Sequence, residues 1–315
     1  MRAICVHAFG GPEVLRLEEV ADPRPGPGQV RVRLQAAGVS PADVEVRAGT
    51  FVRLPQLPYT PGSAGAGVVD AVGEGVAGVR AGDRVWLTGA PTYAEACVVA
   101  AGRVHPLPAR LSFAQGAAIG GSYATAYQAI HLVAGVRPGD HVLVHGGSGA
   151  VGTAALQLLA AHGAIAVGTA ASEAGRAHVA AQGAAALPHD AWDDLLAATG
   201  GRGYDAILEM RAEDNVLRDG ALLAPRGTVV LVGAHAEARF NPLELMVRGA
   251  CIRGMATFLL TADEQRRVEL AIAAGLADGR LVPAVGQSFP LAEAASAHQA
   301  VWTGAKAGKV VLQTA

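Results

Sequence analysis

Lysine is nearly absent from this chain. Of 25 basic residues only Lys306 and Lys309 are lysines, the arginines are scattered, and the net charge is −2. With no basic stripe to track a phosphate backbone, nucleic acid is not an expected partner. Cysteine is scarce too: Cys5, Cys97 and Cys251 are far apart and odd in number, with neither a CxxC pair nor a zinc-knuckle spacing. They read as small buried hydrophobes in a reducing compartment. The chain lacks any run of ~20 apolar residues that could span a bilayer, and its first residues, "MRAICVHAFGGPEVL", contain no apolar signal core. The expectation is a cytoplasmic protein with no membrane partner.

What remains is apolar and long. Half of the 315 residues (51%) are hydrophobic and 17% are charged, which suits compact cores rather than disordered arms. Single domains usually run ~100–200 residues, so two are expected. Residues 1 to 115 read as short strands between Gly/Pro turns: "QVRVRLQAAGV" alternates with period two, and "AGAGVVDAVGEGV", "AGDRVWL" and "EACVVA" follow. Beyond a helical pair ending at "VRPGD", strands and helices alternate through "HVLVHG", "AIAVGT", "AAALP", "YDAILEM", "GTVVLVG" and "CIRGM". Alternation of this kind predicts a doubly wound parallel sheet, an α/β fold with helices on both faces. The terminal "KVVLQ" is expected to rejoin the first domain.

The strongest chemical signal is "HVLVHGGSGAVGTAALQLL". A buried strand enters Gly147-Ser148-Gly149-Ala150-Val151-Gly152, which opens a helix, and that is the setting a dinucleotide-binding GxGxxG requires. Gly147 is expected to make the tight turn, Gly149 to admit a pyrophosphate, and Gly152 to let helix and strand touch. The free N–H groups of the helix then form an anion site. Where NAD enzymes carry an acid for the ribose hydroxyls, this chain has Thr169-Ala170-Ala171-Ser172. Ser172 and Arg176 can instead meet a 2′-phosphate, which favours NADPH over NADH. Arg176 has a competing role as a partner of Glu173. Gly233 and Ala234 end a parallel strand at the edge where ligands of such folds lie. Thr257 and Phe258 follow the sixth strand and are expected to line the cofactor cleft.

Four stretches carry a family resemblance over essentially the whole chain: "FGGPEVLRLEEVADPRPGPGQVRVRLQAAGVSPADVEVRAG", "PGSAGAGVVDAVGEGVAGVRAGDRV", "VLVHGGSGAVGTAALQLL" and "AKAGKVVL". They resemble the quinone oxidoreductase (zeta-crystallin-like) branch of the medium-chain dehydrogenase/reductases. The resemblance implies a GroES-like β-rich catalytic domain over residues 1–120 and 256–315 and a Rossmann dinucleotide-binding domain over 121–255. It also implies a cleft between the two domains, a homodimer, and NADPH-dependent reduction of quinones or other α,β-unsaturated carbonyls. By motif match Thr125 would contact nicotinamide or ribose, unless its hydroxyl only bonds its own helix. Lys309 would approach the cofactor, or stand as a solvated strand end.

The zinc-dependent branch of the same superfamily holds its metal through a Cys, a His-Glu pair and a further Cys or His. Matched by motif, those places are Ser40, Ser63-Ala64 and Gly121, none of which supplies a usual zinc ligand. No zinc is therefore expected. Hydride addition to a conjugated system spreads its charge and needs less Lewis-acid help than reduction of a simple ketone. Ser40, Phe51, Tyr59 and Tyr93 are the expected substrate wall, with Ser40 as candidate hydroxyl donor. The ten histidines are spread along the chain and read as surface or helix-end residues. Departures from the family pattern include Glu45 and Phe51 where tyrosines are often found, and Gly175 in place of a lysine. Two other readings remain: an enoyl-type reductase or biosynthetic tailoring enzyme, and a nucleotide-binding sensor or structural protein without turnover.

Overall fold

Val30, Val32 and Leu34 alternate along one strand and are each at most 1% exposed, as a half-buried strand demands. The computed structural model describes residues 1–302 and 307–314. Strands β1 (Arg2–Cys5) and β2 (Arg16–Glu19) form a small antiparallel pair. They are followed by β3 (Gln29–Val39), helix α1 (Pro41–Ala48), β4 (Ala64–Val72), β5 (Arg84–Thr88), β6 (Ala96–Ala100), β7 (Val104–Pro106) and α2 (Phe113–Ala117). Helix α3 (Gly120–Tyr127) runs into a π-helical segment, Gln128–Ala134.

Parallel strands then alternate with helices: β8 (His141–Val144), α4 (Ala150–His162), β9 (Ile165–Thr169), α5 (Glu173–Ala181), β10 (Ala185–Leu187), α6 (Trp192–Ala197), β11 (Tyr204–Glu209), α7 (Ala212–Leu222), β12 (Leu223–Leu231), α8 (Pro242–Arg248) and β13 (Cys251–Gly254). The six strands lie in the order β10-β9-β8-β11-β12-β13, all parallel. This is the doubly wound Rossmann order 3-2-1-4-5-6. Val142, Leu143 and Val144 of central β8 are 0% exposed, because helices cover both faces. The chain ends with α9 (Ala262–Asp278), β14 (Val285–Pro290), α10 (Ala294–Trp302) and β15 (Lys309–Gln313).

Two compact units result, Met1–Gly121 with Val282–Ala315, and Ser122–Leu281. The return to the β-rich unit therefore comes at Val282 and not at the expected residue 256. Helix α9 explains the shift: it buries Val268, Ile272 and Leu276, and a Cβ on its Gly275 would lie 2.7 Å from Leu281. The helix thus completes the Rossmann unit. Strand β15 does rejoin the first sheet, pairing antiparallel with β3 from Val310↔Val39 to Gln313↔Ala36. It also pairs with β14, a strand that the sequence reading missed.

Candidate functional site

The turn after β8 is bent by Gly146, whose φ of +64° is open to glycine at little cost. Sequence reading assigned that bend to Gly147. Gly147 instead packs closely, since a Cβ there would lie 3.1 Å from Val179 Cγ2 and 3.2 Å from Gly168 Cα. Its N–H donates to the Thr169 carbonyl at 2.8 Å, tying the turn to β9. Gly152 meets its expectation, because a Cβ there would fall 2.3 Å from the Gly146 oxygen. Gly149 is the N-cap of α4, in extended conformation, and no side chain caps the helix. Ala150, Val151 and Gly152 therefore open a thirteen-residue helix whose first N–H groups have no intrahelical acceptor.

At the carboxyl end of β9, Ser172 caps α5 by accepting from Gly175 N–H at 3.0 Å. A Cβ on Gly175 would lie 3.1 Å from Ser172 Oγ and 3.2 Å from Ser148 Oγ, so the two hydroxyls converge on this glycine. Arg176 does not pair with Glu173 among the described residues; its Nη1 donates to the carbonyls of Ala170 and Ala171 at 3.4 and 3.1 Å. Gly233, past the end of β12, packs on the backbone, with a Cβ there only 2.4 Å from the Met210 oxygen. Ala234 is exposed, Thr257 and Phe258 are exposed on a 3-10 turn (Thr257–Leu259), and Thr125 is half-buried in α3.

In the β-rich unit, α1 opens with a capping box. Ser40 Oγ donates to Asp43 Oδ2 at 2.6 Å and Ser40 N–H to the same oxygen at 2.8 Å. The hydroxyl expected to meet substrate is thus committed to the cap. Asp43 is buried, and burial raises its carboxyl above the usual range against the opposing pull of Ser40 and Lys309. Lys309, expected near the cofactor or in solvent, is 7% exposed in this unit, its ammonium weakened by burial and supported by Asp43. Tyr93 cannot be substrate wall: it is 0% exposed in a core with Ile4, Val39 and Leu312, its hydroxyl 3.1 Å from His298 Nε2. Tyr59 and Phe51 are half-buried. The Tyr59 hydroxyl has no partner, and burial pushes it up to about 12. Arg47 was missed altogether: it is 5% exposed with Nε and Nη1 unpartnered. Its signal was present in the spacing, as Asp43, Val44 and Arg47 recur at helical intervals and form the buried face of α1.

The positions matched to zinc ligands offer a committed hydroxyl at Ser40, a methyl group at Ala64 and no side chain at Gly121, while Ser63 engages Gly89 through its carbonyl. This donor set does not fit the ion. Among the described residues the group with metal-ligand chemistry lies elsewhere, in the Rossmann core: His145, Glu209 and Asp219, all buried. His145 and His298 are each 1% exposed, contrary to the expectation that the histidines lie at surfaces or helix ends. Burial lowers both, His298 to about 4.

Comparison with known proteins agrees with this architecture. The model for the alcohol dehydrogenase GroES-like domain matches residues 26–131, and that for zinc-binding dehydrogenases matches 182–312. A crystal structure described as an NAD-dependent alcohol dehydrogenase superposes with a TM-score of 0.92 at 32% identity, covering 100% of both chains. A mycobacterial protein solved with NADPH gives 0.88 at 31%, covering 99% of this chain and 100% of its own. The GroES-like unit and the 3-2-1-4-5-6 sheet with its glycine turn define a medium-chain dehydrogenase/reductase. Within that class the chain belongs to the quinone oxidoreductase family: the enzyme of Rattus norvegicus is 40% identical over 324 residues, 99% of this chain and 97% of the relative. It is accordingly an oxidoreductase.

Proposed function

We propose that the chain is a zinc-independent, NADPH-dependent reductase of quinones or other α,β-unsaturated carbonyls. The observation that carries this reading is the uncapped start of α4 beside a strand end that bears hydroxyls and an arginine in place of a carboxylate. The N–H groups of Ala150, Val151 and Gly152 would hold the pyrophosphate. Ser172 accepts from Gly175 but keeps its own O–H to donate. Arg176 engages the backbone through Nη1, and its other N–H groups serve a 2′-phosphate. The mycobacterial neighbour solved with NADPH supports the same nucleotide.

When bound, the dinucleotide would supply a hydride for the electron-poor carbon of the substrate, and water would return the proton. The chain's own part is to position and to polarise. Among the described residues of the β-rich unit the buried hydroxyls of Tyr59 and Thr314 have no partner, and that of Tyr59, on an aromatic ring, is kept protonated through neutral pH by burial. Tyr59 is the donor this reading gives to the substrate oxygen, with the Phe9 ring 6.4 Å from its own. We read the enzyme as a cytoplasmic homodimer: β13 pairs only with β12 among the described residues, and α8 exposes Leu243, Met246 and Val247. Sedimentation velocity yielding a monomer would end the dimer reading.

The deciding experiment measures NADPH and NADH consumption with 1,4-benzoquinone, simple enones and enoyl thioesters, with and without chelator. NADPH-preferring turnover of the first two, unaffected by chelator, is expected. Loss of activity on chelation would overturn zinc independence, and absence of nucleotide binding would overturn the whole reading.

A further inference from the structure

Beneath the glycine turn runs a chain of buried polar groups for which the proposed chemistry has no use. His145 precedes Gly146, Glu209 ends β11 and Asp219 sits on α7, each at most 1% exposed. His145 Nε2 lies 3.0 Å from Asp219 Oδ1 and 3.8 Å from Glu209 Oε2. On its other side Nδ1 lies 3.4 Å from Thr169 Oγ1, which is 2.8 Å from Nδ1 of half-buried His189 and accepts from Gly146 N–H at 3.2 Å. Glu209 Oε1 accepts from Arg211 N–H at 2.5 Å and Asn215 Nδ2 at 3.2 Å. Glu209 Oε2 and Asp219 Oδ2 are buried with no donor in reach.

Two ionised carboxylates offer each other nothing, for both are acceptors only. Yet an oxygen of Asp219 and one of Glu209 lie within 4.8 Å of each other beside a single imidazole, and a proton held between the two carboxyls removes the repulsion of two buried charges. Placing it there fixes every other hydrogen. His145 Nε2–H donates to Asp219, His145 Nδ1 accepts from the Thr169 hydroxyl, and Thr169 oxygen accepts from Gly146 N–H and from His189 Nδ1–H. Every group is then satisfied, as buried networks require. Around the chain stand Asp190 and Arg211, both facing His189, with the Trp192 ring 6.0 Å from His145 and Arg218 over that ring. Burial raises both carboxyls and lowers both histidines.

We propose that Glu209 and Asp219 share one proton, and that this proton, through His145 and Thr169, positions the Gly146–Gly152 turn for dinucleotide binding. The inference rests on reading that turn as a dinucleotide site. Its consequence is a pH dependence with a definite sign. On raising the pH the proton leaves, two carboxylates face each other in an apolar core, and the hydrogen bonds of Arg211 and of the Thr169 relay are disturbed. Dinucleotide affinity then falls.

NADH is the probe, because it lacks the 2′-phosphate that would itself ionise near neutral pH. Its affinity for the full-length chain is followed by nicotinamide fluorescence from about pH 6 to about pH 9, a range spanning the raised carboxyls. The wild-type Kd should rise by roughly tenfold for each pH unit by which binding raises the cluster's pKa. Glu209→Gln places an amide N–H where the proton sits and keeps an oxygen for Arg211 and Asn215, so its Kd should show no such step. A wild-type Kd that ignores pH, or an E209Q protein that keeps the step, overturns the proposal. Absence of NADH binding in both proteins at every pH overturns the dinucleotide reading instead. Urea unfolding then decides the shared proton alone: it stands if wild type loses stability relative to E209Q as pH rises, and falls if the two run parallel.

Discussion

In the β-rich unit the buried carboxylate of Asp43 feels the charge of an ammonium, that of Lys309, whereas in the Rossmann unit the titratable groups beside Glu209 and Asp219 are His145 and each other. Burial penalises all of these groups, raising the acids and lowering the bases, so neither arrangement escapes the cost of desolvation. The remedies differ. A counter-charge opposes the effect of burial on both partners, while a shared proton removes one charge and leaves the site open to titration. One chain thus contains two different answers to a buried carboxylate.

The largest expected effect tests the counter-charge. Lys309→Met keeps the volume but leaves buried Asp43 with the Ser40 hydrogen bonds and no opposite charge, and should lower stability by about 3–5 kcal/mol in urea unfolding at neutral pH. The variant's deficit should shrink as the pH falls: Asp43 is raised above its unfolded value, so stability lost on the alkaline side returns as the carboxyl protonates. A deficit below about 1 kcal/mol would abolish the distinction between the two clusters.

Next in size comes the turn that the proton-sharing cluster underlies. Gly152→Ala drives a methyl to within 2.3 Å of the Gly146 oxygen, at about 1–3 kcal/mol and with loss of nucleotide binding by calorimetry. Gly149→Ala, whose Cβ finds an ordinary 3.4 Å contact, should remain folded. Equal damage from the two would mean that packing is not what singles out Gly152. Tyr93→Phe is smaller, about 1–2 kcal/mol for a buried hydrogen bond to His298, and quinone-dependent NADPH oxidation should not change. Ser172→Ala should be smallest in stability, about 0.5–1 kcal/mol for the cap, yet should raise KM for NADPH more than for NADH. Equal rises would remove the hydroxyl from 2′-phosphate recognition.

The parallel sheet, the Rossmann alternation and the return of "KVVLQ" were legible because period-two and strand–helix patterns report burial directly. The glycine turn was legible as a motif but not in its division of labour. GxGxxG spacing says that three glycines matter, while the backbone angle at Gly146, outside the motif, depends on how β8 meets β9. Ser40 and Tyr93 misled for a related reason. A serine before Pro-Ala-Asp is equally a capping box and a catalytic hydroxyl, and an isolated tyrosine does not announce that it lies 0% exposed opposite His298. The cluster sets His145 against β11 and α7, with Asp219 74 residues further along the chain, so nothing local marks it. Arg47 could have been found, since a helix whose polar residues recur on one face must bury some of them when that face packs inward.

The place of β15 bears on how the molecule is made. One edge of β3 is shared: β6 pairs with Gln29–Arg33, and β15 takes Ala36–Val39. During synthesis from the amino terminus, the Rossmann unit at Ser122–Leu281 is complete before Val310 leaves the ribosome. The earlier-made sheet meanwhile waits with half an edge open, and an open edge is a template for other strands. A nascent chain stalled short of residue 309 would therefore carry a finished Rossmann unit beside a β-sheet still able to capture a stranger, which makes the last five-residue strand the seal on the first-born unit.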